Sequence, residues 1–188
     1  LDLSWVSRMS TLWLNNVTMS SITLSQCTQL QELTLRNVIL NDGKLDLSGI
    51  SCRCKLWLDN VTLSSIIMEN CEKQCEMTLE NVNLGDVRLD MSGLSELRIY
   101  NVTMTNISLR QCTQLQKLTL WNVNIGEGKL DVSGSSCLFK LLLHNMNMLN
   151  IITSQYTEVQ EVTLENITVC DGKLDLSWAS HLSELKLS

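Results

Sequence analysis

The sequence predicts an all-β or mostly β protein that coils as a right-handed solenoid of about eight turns, each of 20–23 residues, with two parallel β-sheets. Two observations lead to this prediction. A word of the form L-x-L-x-N-[V/I/M] recurs every 20–23 residues, and a second short word with alternating apolar residues stands between successive copies. A unit of this length cannot bury its apolar side alone, so stacked units must share one continuous core.

The first word keeps one phase along the chain, so residues 1–188 are predicted to form a single solenoid domain. Its copies start at Leu12, Leu33, Leu56, Met77, Leu97, Leu118, Leu141 and Val162, and a partial copy starts at Leu185. Units of 21 and 23 residues alternate. The unit 77–96 is shorter because residues are missing after Gly93, in a predicted turn, which leaves both strand words intact.

Each word has the period of a half-buried strand. In the first word Leu118 and Leu120 share one side while Thr119 takes the other, and in the second word Leu130 and Val132 flank the outward Asp131. Successive side chains of a strand alternate between its two faces, so both words bury their aliphatic positions. The chain has no proline, which suits parallel ladders that need almost every backbone N–H. Crossovers between parallel strands are right-handed, which predicts the hand of the coil.

The segment "CTQLQKLTLWNVNI" (112–125) resembles the cysteine-containing form of the leucine-rich repeat, C-x-x-L-x-x-L-x-L-x-N-x-x-[I/L], and "CTQLQELTLRNVIL" (27–40) matches it equally. The resemblance covers essentially the whole chain. Two features differ: the asparagine comes one residue early, and the second strand word replaces the usual helical segment, as in nested, irregular leucine-rich repeats. The alternating units also resemble, more loosely, the arrays of invertebrate nucleotide-binding leucine-rich-repeat immune receptors. The resemblance implies a non-catalytic recognition module and is consistent with innate immunity.

Each full copy of the first word has an asparagine at its fifth position. We predict that its side chain points inward and bonds the backbone of its own turn and of the next, where the strand bends. The eight residues are Asn16, Asn37, Asn60, Asn81, Asn101, Asn122, Asn145 and Asn166.

The outward positions of the first word vary, whereas its inward positions stay aliphatic. Tryptophan, tyrosine, arginine and acidic residues on a rigid scaffold are typical of recognition interfaces. The alternative is that the aromatic residues only cover the sheet through cross-strand pairs. The predicted ligand-binding residues are Trp13, Trp57, Asp59, Arg98, Tyr100, Trp121 and His144.

No catalytic constellation is visible, so the chain is predicted not to be an enzyme and to need no cofactor. The aspartates Asp2, Asp46, Asp90, Asp131 and Asp175 recur only every second turn, about 10 Å apart, too far to share a metal ion. A zinc set of Cys52, Cys54, Cys71 and Cys75 is disfavoured because two members would have to leave the core. Carbohydrate binding on a parallel β-helix is a weaker alternative, since only Asp59 stands near Trp57 to supply a carboxylate.

Charge and cysteine usage bear on partners and location. The net charge of −6 argues against nucleic acid, and no apolar run approaches membrane-spanning length. We predict a protein partner or microbial ligand. Cys54 and Cys75 stand two residues before neighbouring words, so they can be bridged, but the other cysteines do not pair by position. Mostly reduced cysteines favour a cytoplasmic location, with an extracellular one as the alternative.

The two ends of the sequence share one phase. We therefore predict end-to-end self-association, and a self-assembling structural solenoid is the alternative function.

Overall fold

The computed structural model describes residues 1–50, 53–67, 75–82, 87–88, 92–104, 106–125, 128–148, 150–153, 158–169 and 175–188. Over these residues the protein is all-β and contains no helix. The strands in chain order are β1 (Thr11–Met19), β2 (Ile22–Thr23), β3 (Glu32–Leu40), β4 (Lys44–Asp46), β5 (Lys55–Thr62), β6 (Ser65–Ile67), β7 (Cys75–Glu80), β8 (Val87–Arg88), β9 (Leu94–Tyr100), β10 (Ile107–Ser108), β11 (Lys117–Trp121), β12 (Lys129–Asp131), β13 (Lys140–Met148), β14 (Asn150–Ile152), β15 (Glu161–Val169) and β16 (Glu184–Leu187).

The first words form one parallel sheet of nine strands, in the order β1-β3-β5-β7-β9-β11-β13-β15-β16. The repeat sets the register, because the leucine that starts each word faces the start of the next, as Leu12 faces Leu33 and Leu33 faces Leu56. Parallel pairing of successive units is the arrangement of a β-solenoid, so the predicted fold class is confirmed. We call this sheet the long side.

The second words form the opposite side of the coil, which we call the short side because its strands have two or three residues. Its strands belong to two parallel sheets, β14-β12-β10-β8 and β2-β4-β6. The prediction of one second sheet is therefore too simple, since in the described residues the short side is divided between β6 and β8. This division falls at the shortened unit 77–96. Seven turns have a described strand on both sides, compared with about eight predicted.

In the described residues, aliphatic side chains from the two sides meet in a single core cluster that extends from Ile22 to Leu164. Leu33 and Leu35 on the long side and Leu45 and Leu47 on the short side are fully buried, as their parity predicts. The interior holds mainly leucine, isoleucine and valine, and this sharing of one core by stacked turns is what allows units of about 22 residues to be stable.

The asparagine at the fifth position of each first word adopts the left-handed backbone conformation. All eight have a φ between 51° and 55°, a region that asparagine tolerates better than most residues. The left-handed residue breaks the alternation, so the buried positions run Leu33, Leu35 and then Val38. The left-handed conformation turns the asparagine side chains away from the core, so seven of the eight are exposed and Asn37 is half-buried. The prediction that they point inward is wrong.

These asparagines form a ladder of side-chain amides rather than bonds to the backbone. In the bonds that the structure describes, Nδ2 of one residue donates to Oδ1 of the asparagine one turn earlier, at 2.8–3.0 Å. The pairs are Asn37 with Asn16, Asn60 with Asn37, Asn122 with Asn101, and Asn166 with Asn145. Asn81 instead donates to Asp59, at 3.1 Å.

The predicted row of aspartates builds turns at the end of the short side. Asp46 Oδ1 accepts a hydrogen bond from the Ser48 N–H at 3.0 Å, and Asp131 accepts the same bond from Ser133, also at 3.0 Å. Such bonds stabilise a turn locally. Asp2 and Asp175 repeat the arrangement, while Asp90 lies outside the described residues.

Two of these turns are followed by a glycine, Gly49 or Gly134, at which two neighbouring turns of the solenoid come into very close contact. A Cβ on Gly134 would lie 1.6 Å from the carbonyl oxygen of Arg110, and one on Gly49 would lie 2.4 Å from that of Ser25. No side chain fits at these distances, so the turn can stack on its neighbour only with glycine there.

Candidate functional site

The outward residues of the long side form three parallel columns, which together we call the outer face. A column contains the equivalent residue of each successive strand, as the register aligns them. The first column is Thr11, Glu32, Lys55, Glu76, Glu96, Lys117, Lys140, Glu161 and Glu184. The middle column is Trp13, Thr34, Trp57, Thr78, Arg98, Thr119, Leu142, Thr163 and Lys186. The third column is Asn15, Arg36, Asp59, Glu80, Tyr100, Trp121, His144 and Glu165.

All seven predicted ligand-binding residues lie on the outer face. Trp13, Trp57 and Arg98 belong to the middle column, and Asp59, Tyr100, Trp121 and His144 to the third. They share this face because side chains alternate along a strand, and each of the seven directly follows an inward leucine or isoleucine. The structure thus places these residues together on one sheet, but whether they bind a ligand stays a prediction.

Three of the seven residues expose large apolar side chains. The exposed fraction is 68 % for Trp13, 49 % for Trp57 and 43 % for Trp121. In the middle column each tryptophan faces threonines on the neighbouring strands, so Trp13 lies opposite Thr34 and Trp57 lies between Thr34 and Thr78. These two indoles therefore have no aromatic residue directly opposite them.

Trp121 has a different environment from the other two tryptophans. Its ring stacks on His144, with the ring centroids 4.7 Å apart and the planes inclined by 22°. His144 is 9 % exposed, and its Nδ1 lies 2.9 Å from a carboxylate oxygen of Glu165. His144 therefore supports the indole from the neighbouring strand, and Trp121 is the member of the pair that a partner can reach.

Asp59 is held by its neighbours. One carboxylate oxygen lies 3.2 Å from Nε of Arg36, and the other accepts the hydrogen bond from Asn81. Only 15 % of its side chain is exposed. This carboxylate links the third column to the asparagine ladder and is less accessible than its outward position predicts.

The first column carries charges that the sequence interpretation did not include among the site residues. Glu96 lies 2.7 Å from Arg98 and 2.8 Å from Lys117, and Lys140 pairs with Glu161 across the next two strands. Strand alternation alone predicts that these charged residues lie on the outer face, because each lies two residues before a residue of the middle column. These side chains are partly exposed, and ion pairs in contact with solvent add little to stability.

A shallow depression of about 360 Å³ lies on the outer face around Trp57. Thr34 and Thr78 lie on either side of the indole, and Arg98 closes the far end. The remaining polar lining comes from the first column: Glu32, Lys55 and Glu76. The depression thus has an aromatic centre, small residues beside it and charges of both signs along one border.

The Asp131 carboxylate on the short side has partners on both of its oxygens. Burial works to raise its pKa, but hydrogen bonds from Ser133 and the ion pair with Arg110 outweigh burial and lower the pKa below the usual value of 3.8. The Arg110 Nε lies 2.6 Å from the second carboxylate oxygen. All of these partners stabilise a turn, so the group has a structural role.

The described residues contain no cluster of histidine, cysteine, aspartate and glutamate that could hold a metal ion. Of the four cysteines in the disfavoured zinc set, Cys52 and Cys71 lie outside the described residues. Cys54 and Cys75 are buried and occupy facing positions, since the Glu76 N–H donates to the carbonyl of Cys54 at 3.0 Å. The disulfide between them stays a prediction.

No protein-family model matches this sequence, and no curated protein shows significant similarity to it. Within the described part of the chain, no helix has the length and apolar character needed to cross a membrane.

Proposed function

We propose that the chain is a non-catalytic recognition module that binds a protein partner through its outer face. The contacting residues are Trp13, Trp57, Asp59, Arg98, Tyr100 and Trp121, with His144 positioning the Trp121 ring. A microbial ligand bound in innate immunity is the alternative that the resemblance to immune-receptor repeats favours.

The observation that carries this proposal is the exposure of Trp13, Trp57 and Trp121 on one sheet. Large aromatic side chains provide much of the binding energy in protein interfaces, because they bury a large area with few rotatable bonds. The strands that carry Trp57 and Trp121 are paired on both sides, which makes the sheet beneath these two rings rigid, whereas Trp13 lies on the edge strand β1 and is supported by β3 alone.

The competing explanation is that these rings serve only to cover the sheet. Cross-strand pairs of an aromatic with a β-branched residue stabilise a sheet by about 0.2–1 kcal/mol, so Trp13 and Trp57 also gain from the threonines beside them. Only Trp121 stacks on a ring. These contacts still leave 68 % of Trp13, 49 % of Trp57 and 43 % of Trp121 exposed, so covering the sheet uses only part of each ring and leaves the rest open to a partner.

The test is affinity capture with the double variant Trp57→Ala, Trp121→Ala. The matched control is Trp5→Ala, Phe139→Ala, which removes one exposed tryptophan and one exposed phenylalanine outside the outer face. Captured proteins are compared by quantitative mass spectrometry among the wild type and the two variants. We expect a partner that the wild type and the control retain and the outer-face variant loses.

Thermal unfolding of the same three proteins completes the experiment. The outer-face variant is expected to melt close to the wild type, because exposed residues contribute little to stability. A much lower melting temperature, or equal capture by all three proteins, contradicts recognition through this face.

A further inference from the structure

We infer that the partner presents a proline-rich segment in the polyproline II conformation, with a basic residue in each turn, and that this segment lies along the middle column between Trp13 and Arg98. The inference rests on the proposed function and specifies the ligand of the same face.

The first argument is the spacing of the middle column. Large side chains and threonines alternate strictly over its first five strands: Trp13, Thr34, Trp57, Thr78 and Arg98. Equivalent residues two strands apart are separated by about 9.6 Å, twice the distance between paired strands. Each threonine therefore lies at the bottom of a slot with a large side chain on either side. We call the two spaces above Thr34 and Thr78 the slots.

The second argument is that a polyproline II helix has nearly the same period. It has three residues per turn and rises about 3.1 Å per residue, so one residue in three recurs every 9.3 Å or so. A helix lying across the strands would place successive equivalent prolines over the slots at Thr34 and Thr78 with a mismatch of about 0.3 Å. An extended β-strand has a two-residue period near 6.7 Å and does not match this spacing.

The third argument is chemical. Exposed aromatic rings are the surfaces on which proteins bind polyproline II segments, because proline packs flat against them and the segment is already ordered before binding. Trp57 forms the wall shared by both slots and lines the 360 Å³ depression. Trp13, which is 68 % exposed, lies on the far side of Thr34.

The fourth argument is charge complementarity. Across β3, β5, β7 and β9 the outer face carries five carboxylates and three cations, an excess of two negative charges. The carboxylates are Glu32, Asp59, Glu76, Glu80 and Glu96, and the cations are Arg36, Lys55 and Arg98. A basic residue beside the prolines complements this excess, and electrostatic complementarity selects the partner and speeds its approach.

The probe is a fluorescein-labelled nonapeptide, three repeats of Pro-Pro-Arg, and binding is followed by fluorescence anisotropy against the full 188-residue chain. Two peptides of the same length are compared with it. Three repeats of Gly-Ser-Arg keep the charge without the polyproline II conformation, and three repeats of Pro-Pro-Glu keep the conformation and reverse the charge. We expect the first peptide to bind at least tenfold more tightly than either of the others.

Variants of the protein locate the binding. Trp57→Ala removes the shared wall and Thr34→Tyr fills one slot with a residue that strands accommodate well, so each should weaken binding at least tenfold. Trp5→Ala, which removes an exposed tryptophan outside the outer face, should bind as the wild type does. Circular dichroism of each variant establishes that the strands are intact.

Equal binding of the Gly-Ser-Arg peptide, or no binding of the Pro-Pro-Arg peptide at about 1 mM protein, overturns the inference. So does full binding by Thr34→Tyr with its strands intact. The proposed function fails separately, because the capture experiment uses no peptide. A partner lost with Trp57 and Trp121, together with an inert proline peptide, keeps the function and rejects this ligand.

Discussion

The two sides of the coil bury the same kind of residue but use their polar residues differently. In the part of the chain that the structure describes, the strands of the long side have four to nine residues and pair in one sheet, whereas those of the short side have two or three residues and fall into two sheets. On the long side the outward positions display exposed rings and ion pairs. On the short side the recurring Asp-x-Ser word holds a turn, as Asp131 does with Ser133.

This difference shows where a solenoid can vary without losing its fold. An outward residue in the middle of a long strand is held by backbone hydrogen bonds on both sides, so its side chain is free to change from turn to turn. A residue at a tight corner is limited by the neighbouring turn, as Gly134 is by Arg110. Function is therefore expected on the long side, and sensitivity to substitution on the short side.

The largest effect is expected at the closest approach on the short side. Gly134→Ala places a methyl group where the carbonyl oxygen of Arg110 lies, so the two turns must separate. We expect the free energy of unfolding to fall by about 3 kcal/mol or more in urea denaturation. Thr119→Ala, a small change on the outer face, should cost about 1 kcal/mol or less. Equal effects of the two substitutions would contradict the comparison.

A smaller effect is expected at the asparagine ladder. Asn122→Ala loses the hydrogen bond to Asn101 and puts alanine at a φ of 54°, which together should cost about 2 kcal/mol. Asn122→Gly loses the same bond but accepts the backbone conformation, so it should cost about 1 kcal/mol less than alanine. Urea denaturation of both variants measures the difference. A glycine variant no more stable than the alanine variant would mean that the backbone conformation is not what asparagine provides.

The Asp131 carboxylate should contribute about 1 kcal/mol to the free energy of unfolding, and this contribution should depend on pH. The pKa of Asp131 is lowered in the folded protein, so its ionised form stabilises the fold above the unfolded pKa, and this contribution is lost as the pH falls through the folded pKa. Asp131→Asn should therefore be less stable than the wild type at pH 7, and the difference should shrink below pH 3.8. Chemical denaturation at several pH values provides the measurement. A difference that stays constant down to pH 2 or so would exclude this role of the carboxylate.

The weakest effect concerns the two edges of the long side, β1 and β16. Unpaired edges with apolar residues promote pairing between molecules, so the 188-residue chain should self-associate as its concentration rises. Leu187→Lys puts a charge on one edge at an exposed position, which should reduce the association without unfolding the protein. Sedimentation velocity over a range of concentrations compares the two. A wild type that stays monomeric at the highest concentration would show that these edges do not pair.

By itself, the sequence determined the parallel stacking, the register and the inward leucines, because these depend only on the repeat interval and on strand alternation. It also determined that Trp57 and Trp121 share one face, since each follows an inward leucine by one residue. The direction of Asn122 was decided by the structure, because one left-handed residue shifts the alternation that the sequence argument counts. The structure also decided the burial of His144 and the charges around Glu96, since ring stacking and ion pairs depend on side chains from strands 20 or more residues apart.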